Sequence, residues 1–185
     1  MVGLIPRILC DLVETTAGAD VLAEVKRRAG VAPGTTFSLD EVYDDGQWQR
    51  LLASACACLN LTQEQAEEAY ADAFCRDALA RWPMWFRISS NAREFFERQP
   101  RIHNGFATGV RDPEARKTIN DKFRLESHNG ELIVHYRSPN LLCGLYKAIA
   151  RWILTHYQEQ AEISETRCLK SGDEECEIHI CWSRN

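Results

Sequence analysis

The apolar residues of this 185-residue chain hold a helical period until past the middle and first leave it there, and that change limits the fold more than any other feature. Before it, every segment reads as helix. Leu4, Ile5, Ile8, Leu9, Leu12 and Val13 form one stripe; Val21, Leu22 and Val25 form a second, closed by Gly30 with Pro33 just beyond. Leu51, Leu52, Ala55, Cys56 and Leu59 form a third. Thr62-Gln63-Glu64-Gln65 is a capping-box pattern that opens a helix carrying Ala66, Ala69, Tyr70, Ala73 and Phe74. A further helix is expected from about Asn91 to about His103, with Phe95 and Phe96 inward and Pro100 kinking or restarting it. After it, Phe123 and Leu125, then Ile133 and His135, flank Asn129-Gly130, a hairpin-turn signal. Helical spacing returns through Leu142, Leu145, Ile149, Trp152 and Ile153. Two strands follow, about 161–168 and 175–182, joined by Ser171-Gly172-Asp173-Glu174. Helices, a hairpin, one long helix and a second hairpin predict a single α+β domain with an antiparallel sheet.

Composition narrows the function classes. A chain 45% hydrophobic and 26% charged can bury a globular core. Its net charge of −5, without a dense Lys/Arg block, argues against nucleic acid or anionic membrane as the main partner. No stretch approaches the ~18 uncharged apolar residues that a membrane span needs, and the expected location is cytoplasmic. Nothing reads as a nucleophile with its base, a phosphate-cradling glycine loop or a catalytic carboxylate pair, so a non-catalytic protein is expected.

Eight cysteines are many for this length. Without a secretory leader they read as core thiols, metal ligands or redox-active thiols rather than a disulfide framework. Cys10, Cys56, Cys58 and Cys75 fall in the helical half and read as small core hydrophobes. Cys143, Cys168, Cys176 and Cys181 crowd the last 43 residues. Cys168 and Cys176 bracket the last hairpin and can meet across it, with Cys143 at the start of the preceding helix.

The stretch His135-Tyr136-Arg137-Ser138-Pro139-Asn140-Leu141-Leu142-Cys143 is similar to the Tyr-x-Ser-x-Arg motif, followed by a helix, of the H-NOX (heme-nitric oxide/oxygen binding) family. Cys168-Leu169-Lys170-Ser171-Gly172-Asp173-Glu174-Glu175-Cys176 resembles the C-terminal hairpin of that family's proteobacterial, zinc-containing branch, and the likeness spans nearly the whole chain. It implies an H-NOX-like α+β fold: an N-terminal distal helical part, about 1–60, and a proximal part of helices and antiparallel sheet, about 61–185.

The resemblance further implies heme b held through His103, which sits where the family carries its iron ligand. A neutral imidazole can ligate heme iron on one face and leave the other open to a diatomic gas. Tyr136, Ser138 and Asn140 would approach the propionates, since alternation puts these three on one side of an extended segment. Asn140 replaces the motif arginine; a neutral amide lacks that residue's charged, bidentate fork, and the expected cost is about tenfold in heme binding. Arg137 points to the opposite face, while Arg116, Lys117 and Arg124 are other cations that could serve. Leu145 falls where oxygen-binding members carry a distal tyrosine, with Tyr146 adjacent; about 100° of helix separates them, so one should face the gas. Leu145 inward implies nitric oxide rather than oxygen, with Ile5, Leu9, Phe74 and Leu142 as apolar neighbours. Cys143, Cys168 and Cys176 match zinc-binding positions. Cys181 and His179 fall on the opposite strand face from Cys176, so a tetrahedral site is complete if either swings in, and otherwise the three thiols form a redox-sensitive cluster.

The implied function is a nitric oxide sensor whose iron–histidine bond strains or breaks, moving the helical half against the sheet half for a separate histidine kinase or cyclic-dinucleotide enzyme to read. Two other readings stay open. One is a heme-free zinc/thiol redox module of the same fold; the other is a small-ligand-binding scaffold domain like the related four-vinyl-reductase domains.

Overall fold

The computed structural model describes residues 2–39, 41–107, 113–128 and 130–183, in two compact units, Met1–Phe74 and Cys75–Asn185. The first unit is helical: α1 (Leu4–Ala17), α2 (Ala19–Arg28), α3 (Asp45–Leu59) and the start of α4 (Gln63–Arg81), which continues into the second. Local chemistry sets these boundaries. Asp44 caps α3 by accepting the Gln47 N–H at 2.9 Å. The expected capping box at α4 is present, with Gln65 N–H donating to Thr62 Oγ1 at 3.2 Å and Thr62 N–H to Gln65 Oε1 at 2.9 Å.

Val13, Val25, Trp48, Leu51 and Tyr70 fill this unit's core, each at most 2% exposed. Lys26 is buried too, its ammonium donating to the carbonyls of Pro33 (3.1 Å) and Thr35 (2.9 Å) and pinning the loop after α2. Gly3 lies so close to that loop's far end that a Cβ there would sit 1.9 Å from Ser38 O.

The second unit holds the rest of α4, then α5 (Pro83–Arg87), α6 (Ala92–Ala107), α7 (Pro113–Asn120), β1 (Phe123–His128), β2 (Glu131–Tyr136), α8 (Cys143–His156), β3 (Ala161–Arg167), a single 3₁₀ turn (Leu169–Ser171) and β4 (Cys176–Trp182). The strands form one antiparallel sheet in the order β1-β2-β4-β3. The expected hairpin joins β1 to β2; Gly130 adopts φ 93°, and Asn129 lies outside the described residues.

Strand parity sorts the sheet's two faces. Leu132, Val134, Tyr136, Cys176, Ile178 and Ile180 point inward, each at most 3% exposed, into a core shared with Phe95, Phe96, Tyr146, Ile153 and Leu154. Arg124, Glu126, His135, Glu177, His179 and Cys181 alternate onto the other face. Where a break was expected at Pro100, α6 runs through it. Capping at Asn91, whose Oδ1 accepts the Glu94 N–H at 2.8 Å, and the packing of Phe95 and Phe96 hold the helix despite the missing N–H. The short helices α5 and α7 lie in segments whose sequence pattern gave no helical expectation.

Candidate functional site

Two constellations in the second unit bring chemistry-bearing residues together. The first lies where α8 starts beside the β3–β4 hairpin. Cys143 Sγ, Cys168 Sγ, Cys176 Sγ and a Glu165 carboxylate oxygen all lie within 4.8 Å of one another. Cys143 and Cys168 are 3.6 Å apart, close to the roughly 3.8 Å edge of a tetrahedron with 2.3 Å zinc–sulfur bonds. Glu165 Oε1 is buried and has no hydrogen-bond partner among the described residues, while Oε2 accepts from Lys147 at 2.7 Å. A buried carboxylate oxygen without a partner, on a side chain that lies beside three thiols, is costly unless a proton or a cation meets it. Burial pushes the Cys143 and Cys176 thiols above their ordinary range, and the positive charge of Lys170 partly offsets this at Cys143. A divalent cation would reverse that preference, because it binds the deprotonated forms.

Neither Cys181 nor His179, the two candidates for a fourth ligand, joins this cluster. Both occupy the opposite sheet face from Cys176. Cys181 Sγ donates to Glu131 Oε1 at 3.3 Å. His179 is clamped between Glu131 (2.6 Å from Nδ1) and Glu177 (2.9 Å from Nε2). Five residues separate Cys176 from Cys181, and an odd separation along a strand reverses the face. Glu165 is the residue that lies beside the three thiols. Its signal was legible in principle: Ala161, Ile163 and Glu165 share a parity on β3, so a carboxylate follows two inward residues.

The second constellation surrounds His103. This half-buried imidazole packs edge-on against Phe123, with centroids 4.9 Å apart and planes at 77°. The same Phe123 ring contacts Tyr136 at 5.2 Å and Tyr146 at 5.5 Å. Tyr136, Ser138 and Asn140 are each 3% exposed while Arg137 and Pro139 between them are exposed, as alternation predicted. The Tyr136 hydroxyl accepts the Leu142 N–H and the Ser138 hydroxyl accepts the Asn140 N–H, both at 3.3 Å, and the two hydroxyls hydrogen-bond each other. Burial pushes the Tyr136 phenol up to about 12, so it stays a donor at neutral pH.

Tyr146 is 4% exposed, and its hydroxyl donates to Gln99 Oε1 at 2.9 Å. Leu145 is 5% exposed yet takes no part in the core that holds Tyr146. Neither Gln99 nor Phe123 was marked out by sequence as a site residue. Of the cations considered for the propionates, Arg124 pairs with Glu126 and Glu175 on the outer sheet face, and Arg116, Lys117 and Arg137 are exposed.

In the first unit, Tyr70 draws Ile5 and Phe74 together: its hydroxyl donates to Ile5 O at 3.0 Å and its ring stacks on Phe74 at 6.1 Å. Leu9 lies one turn along α1 from Ile5 and is 3% exposed.

The fold itself has known relatives. Residues 2–165 match the Haem-NO-binding family model. Among solved structures, an H-NOX protein from S. oneidensis in the Fe(II)NO state superposes with a TM-score of 0.82 at 16% identity, covering 100% of both chains. An unliganded Fe(II) H-NOX protein from K. algicida gives 0.75 at 20% identity, over 100% of this chain and 98% of that one. An oxygen-binding H-NOX domain related to soluble guanylate cyclases gives 0.75 at 16% identity, over 100% and 96%. No helix among the described residues is long and apolar enough to cross a membrane. With 164 of its 185 residues matched by one family model and its strands and helices arranged as in those structures, the chain belongs to the Haem-NO-binding, or H-NOX, family of heme-binding gas sensors.

Proposed function

We propose that this protein is a heme-dependent nitric oxide sensor of the zinc-containing H-NOX branch, acting on a separate signalling protein, a histidine kinase or a cyclic-dinucleotide enzyme. The observation that carries the reading is the grouping around Phe123, whose ring meets both the candidate iron ligand His103 and the candidate propionate partner Tyr136. The donor set suits heme: one imidazole nitrogen donor on a helix, aromatic walls, and two buried hydroxyls able to hydrogen-bond carboxylates. When bound, heme would supply an iron able to take a diatomic gas. His103 would hold the iron; Tyr136, Ser138 and Asn140 would orient the propionates. All three of those partners are neutral, so they anchor less strongly than an arginine fork.

Tyr146 supports nitric oxide over oxygen as the ligand. Its hydroxyl is engaged by Gln99, and Leu145 cannot donate a hydrogen bond to a bound gas. A zinc ion at Cys143, Cys168, Cys176 and Glu165 completes the reading, with the fourth ligand assigned to Glu165 rather than to Cys181.

Protein expressed with ample heme should show a Soret band that is lost in His103→Ala and restored by added imidazole. The ferrous form should bind nitric oxide and carbon monoxide and form no stable oxygen complex. Asn140→Arg should retain heme about tenfold better, the difference between a charge-assisted and a neutral hydrogen bond. A colourless protein under those conditions would sink the reading.

The 3.6 Å approach of Cys143 and Cys168 favours a second reading, a thiol redox module. Peroxide would take two electrons and two protons from the pair as the disulfide forms and would itself be reduced to water. Zinc release by stoichiometric peroxide from a heme-free protein would support it.

A further inference from the structure

We propose that Tyr146 is a positioning residue for His103, acting through Gln99 to set the direction in which the imidazole is presented. The inference rests on the reading of His103 as the iron ligand.

Gln99 and His103 are four residues apart on α6, hence on one face of the helix. Pro100 follows Gln99 directly. It has no N–H to give to the Phe96 carbonyl, so one rung of the helical ladder is missing between the well-packed first half of α6 and the turn that carries His103. A turn beyond a missing rung is held less firmly by its own backbone. The structure supplies an external tie at that level. Tyr146 on α8 donates to Gln99 Oε1 at 2.9 Å, on the residue immediately before the proline.

The tie is well founded. Tyr146 is 4% exposed, and burial holds its hydroxyl protonated far above neutral pH, so it donates at every physiological pH. Burial of the donor shields this hydrogen bond on the Tyr146 side. Phe123 fills the angle between the two helices, touching Tyr146 at 5.5 Å and His103 at 4.9 Å. One residue of α8 therefore fixes the helix before His103 by a hydrogen bond and backs the ring that His103 leans on.

α8 is itself anchored one turn earlier, where Cys143 joins the thiol–carboxylate cluster. Through three residues of one helix, the cluster and the His103 helix share a mechanical connection.

The test compares Tyr146→Phe, Gln99→Leu and the double variant with the wild-type chain. Tyr146→Phe keeps the ring against Phe123 and removes only the donor. Two readouts are taken: the iron–histidine stretching band of the ferrous, heme-loaded protein, and the His103 imidazole ¹⁵N signals of the heme-free protein. Losing a group that orients a metal ligand typically costs about tenfold or more in affinity. This bond acts at one remove, so heme should dissociate roughly threefold faster. Each single variant should shift the stretching band and the His103 signals, and the double variant should go no further than either.

Leu154→Ala, in the same helix and core, is the control for plain destabilisation and should leave the band where it is. An unmoved band and unchanged His103 signals in Tyr146→Phe would overturn the proposal, as would single-variant shifts that add in the double. Failure of the wild-type chain to take up heme would overturn the sensor reading instead, and the heme-free signals would still decide the role of Tyr146.

Discussion

Cys176 and Cys181 lie on one strand, five residues apart, and live in different chemical worlds. The inner face of the sheet places Cys176 among Leu132, Val134, Ile178 and Ile180, beside two other thiols and an orphaned carboxylate oxygen. The outer face places Cys181 in a polar lattice in which His135 lies between Glu126 (3.4 Å) and Glu175 (2.9 Å), and His179 between Glu131 and Glu177. On the inner face, burial has left a Glu165 oxygen without a hydrogen-bond partner; on the outer face, both histidines sit between carboxylates, His179 hydrogen-bonded through both ring nitrogens and His135 through Nδ1. The difference teaches that a cysteine's role here follows from strand parity, which fixes its surroundings, rather than from its nearness in sequence to other cysteines.

The sharpest way to break this comparison is to empty both faces of an isoleucine. Ile178→Ala should cost about 3–4 kcal/mol in urea unfolding, as a fully buried site cannot collapse around the loss, whereas half-buried Ile133→Ala should cost about 1 kcal/mol. Equal costs would mean that the outer face is as well packed as the core. Next in size is zinc content. Cys176→Ser and Glu165→Gln should each lower zinc affinity by at least about 100-fold, more than loss of a ligand's hydrogen-bond partner costs, whereas Cys181→Ser should keep one zinc per chain in elemental analysis. Zinc lost from Cys181→Ser and kept by Glu165→Gln would restore Cys181 as the ligand.

A smaller effect sharpens the outer face. Partial burial opposes a charge on His179, but the bonds to Glu131 and Glu177 outweigh it and lift its pKa above the ordinary 6.5. The stability this contributes is complete below pH 6.5 and fades as pH rises through the elevated value. The bond from His179 holds both carboxylates below their ordinary 4.5, and their contribution fades as pH falls through those lowered values. The Tm gap between wild type and His179→Gln should therefore peak near about pH 5.5 and shrink on both sides. A gap independent of pH would show that the clamp holds by shape alone. Smallest of all, Cys181→Ala should change stability by less than about 0.5 kcal/mol.

The contrast also marks how much the sequence disclosed. The helical half, the two hairpins and the long helix between them were legible because each is a strong periodic signal with its own caps: the Thr62–Gln65 box and Gly130 in its left-handed turn are local chemistry. The inward setting of Tyr136, Ser138 and Asn140 followed from alternation. The nearness of Glu165 to the three thiols did not, because it depends on which strand of a hairpin meets the start of α8, a fact of tertiary structure. Tyr146 escaped for a similar reason. Helical rotation separates it from Leu145, but both are buried, each in its own surroundings, and a one-sided reading of the helix left no place for the second.

Lys26 was introduced above as a pin for the loop after α2, and it has a practical consequence. It is the only lysine among residues 1–74, and its amine is spoken for by two carbonyls. An amine-selective reagent can mark it only when the first unit opens, while Lys117 and Lys170, exposed in the second, react at once. The rate at which mass accumulates on Lys26 is thus a built-in clock for the breathing of the helical unit, readable without introducing a probe.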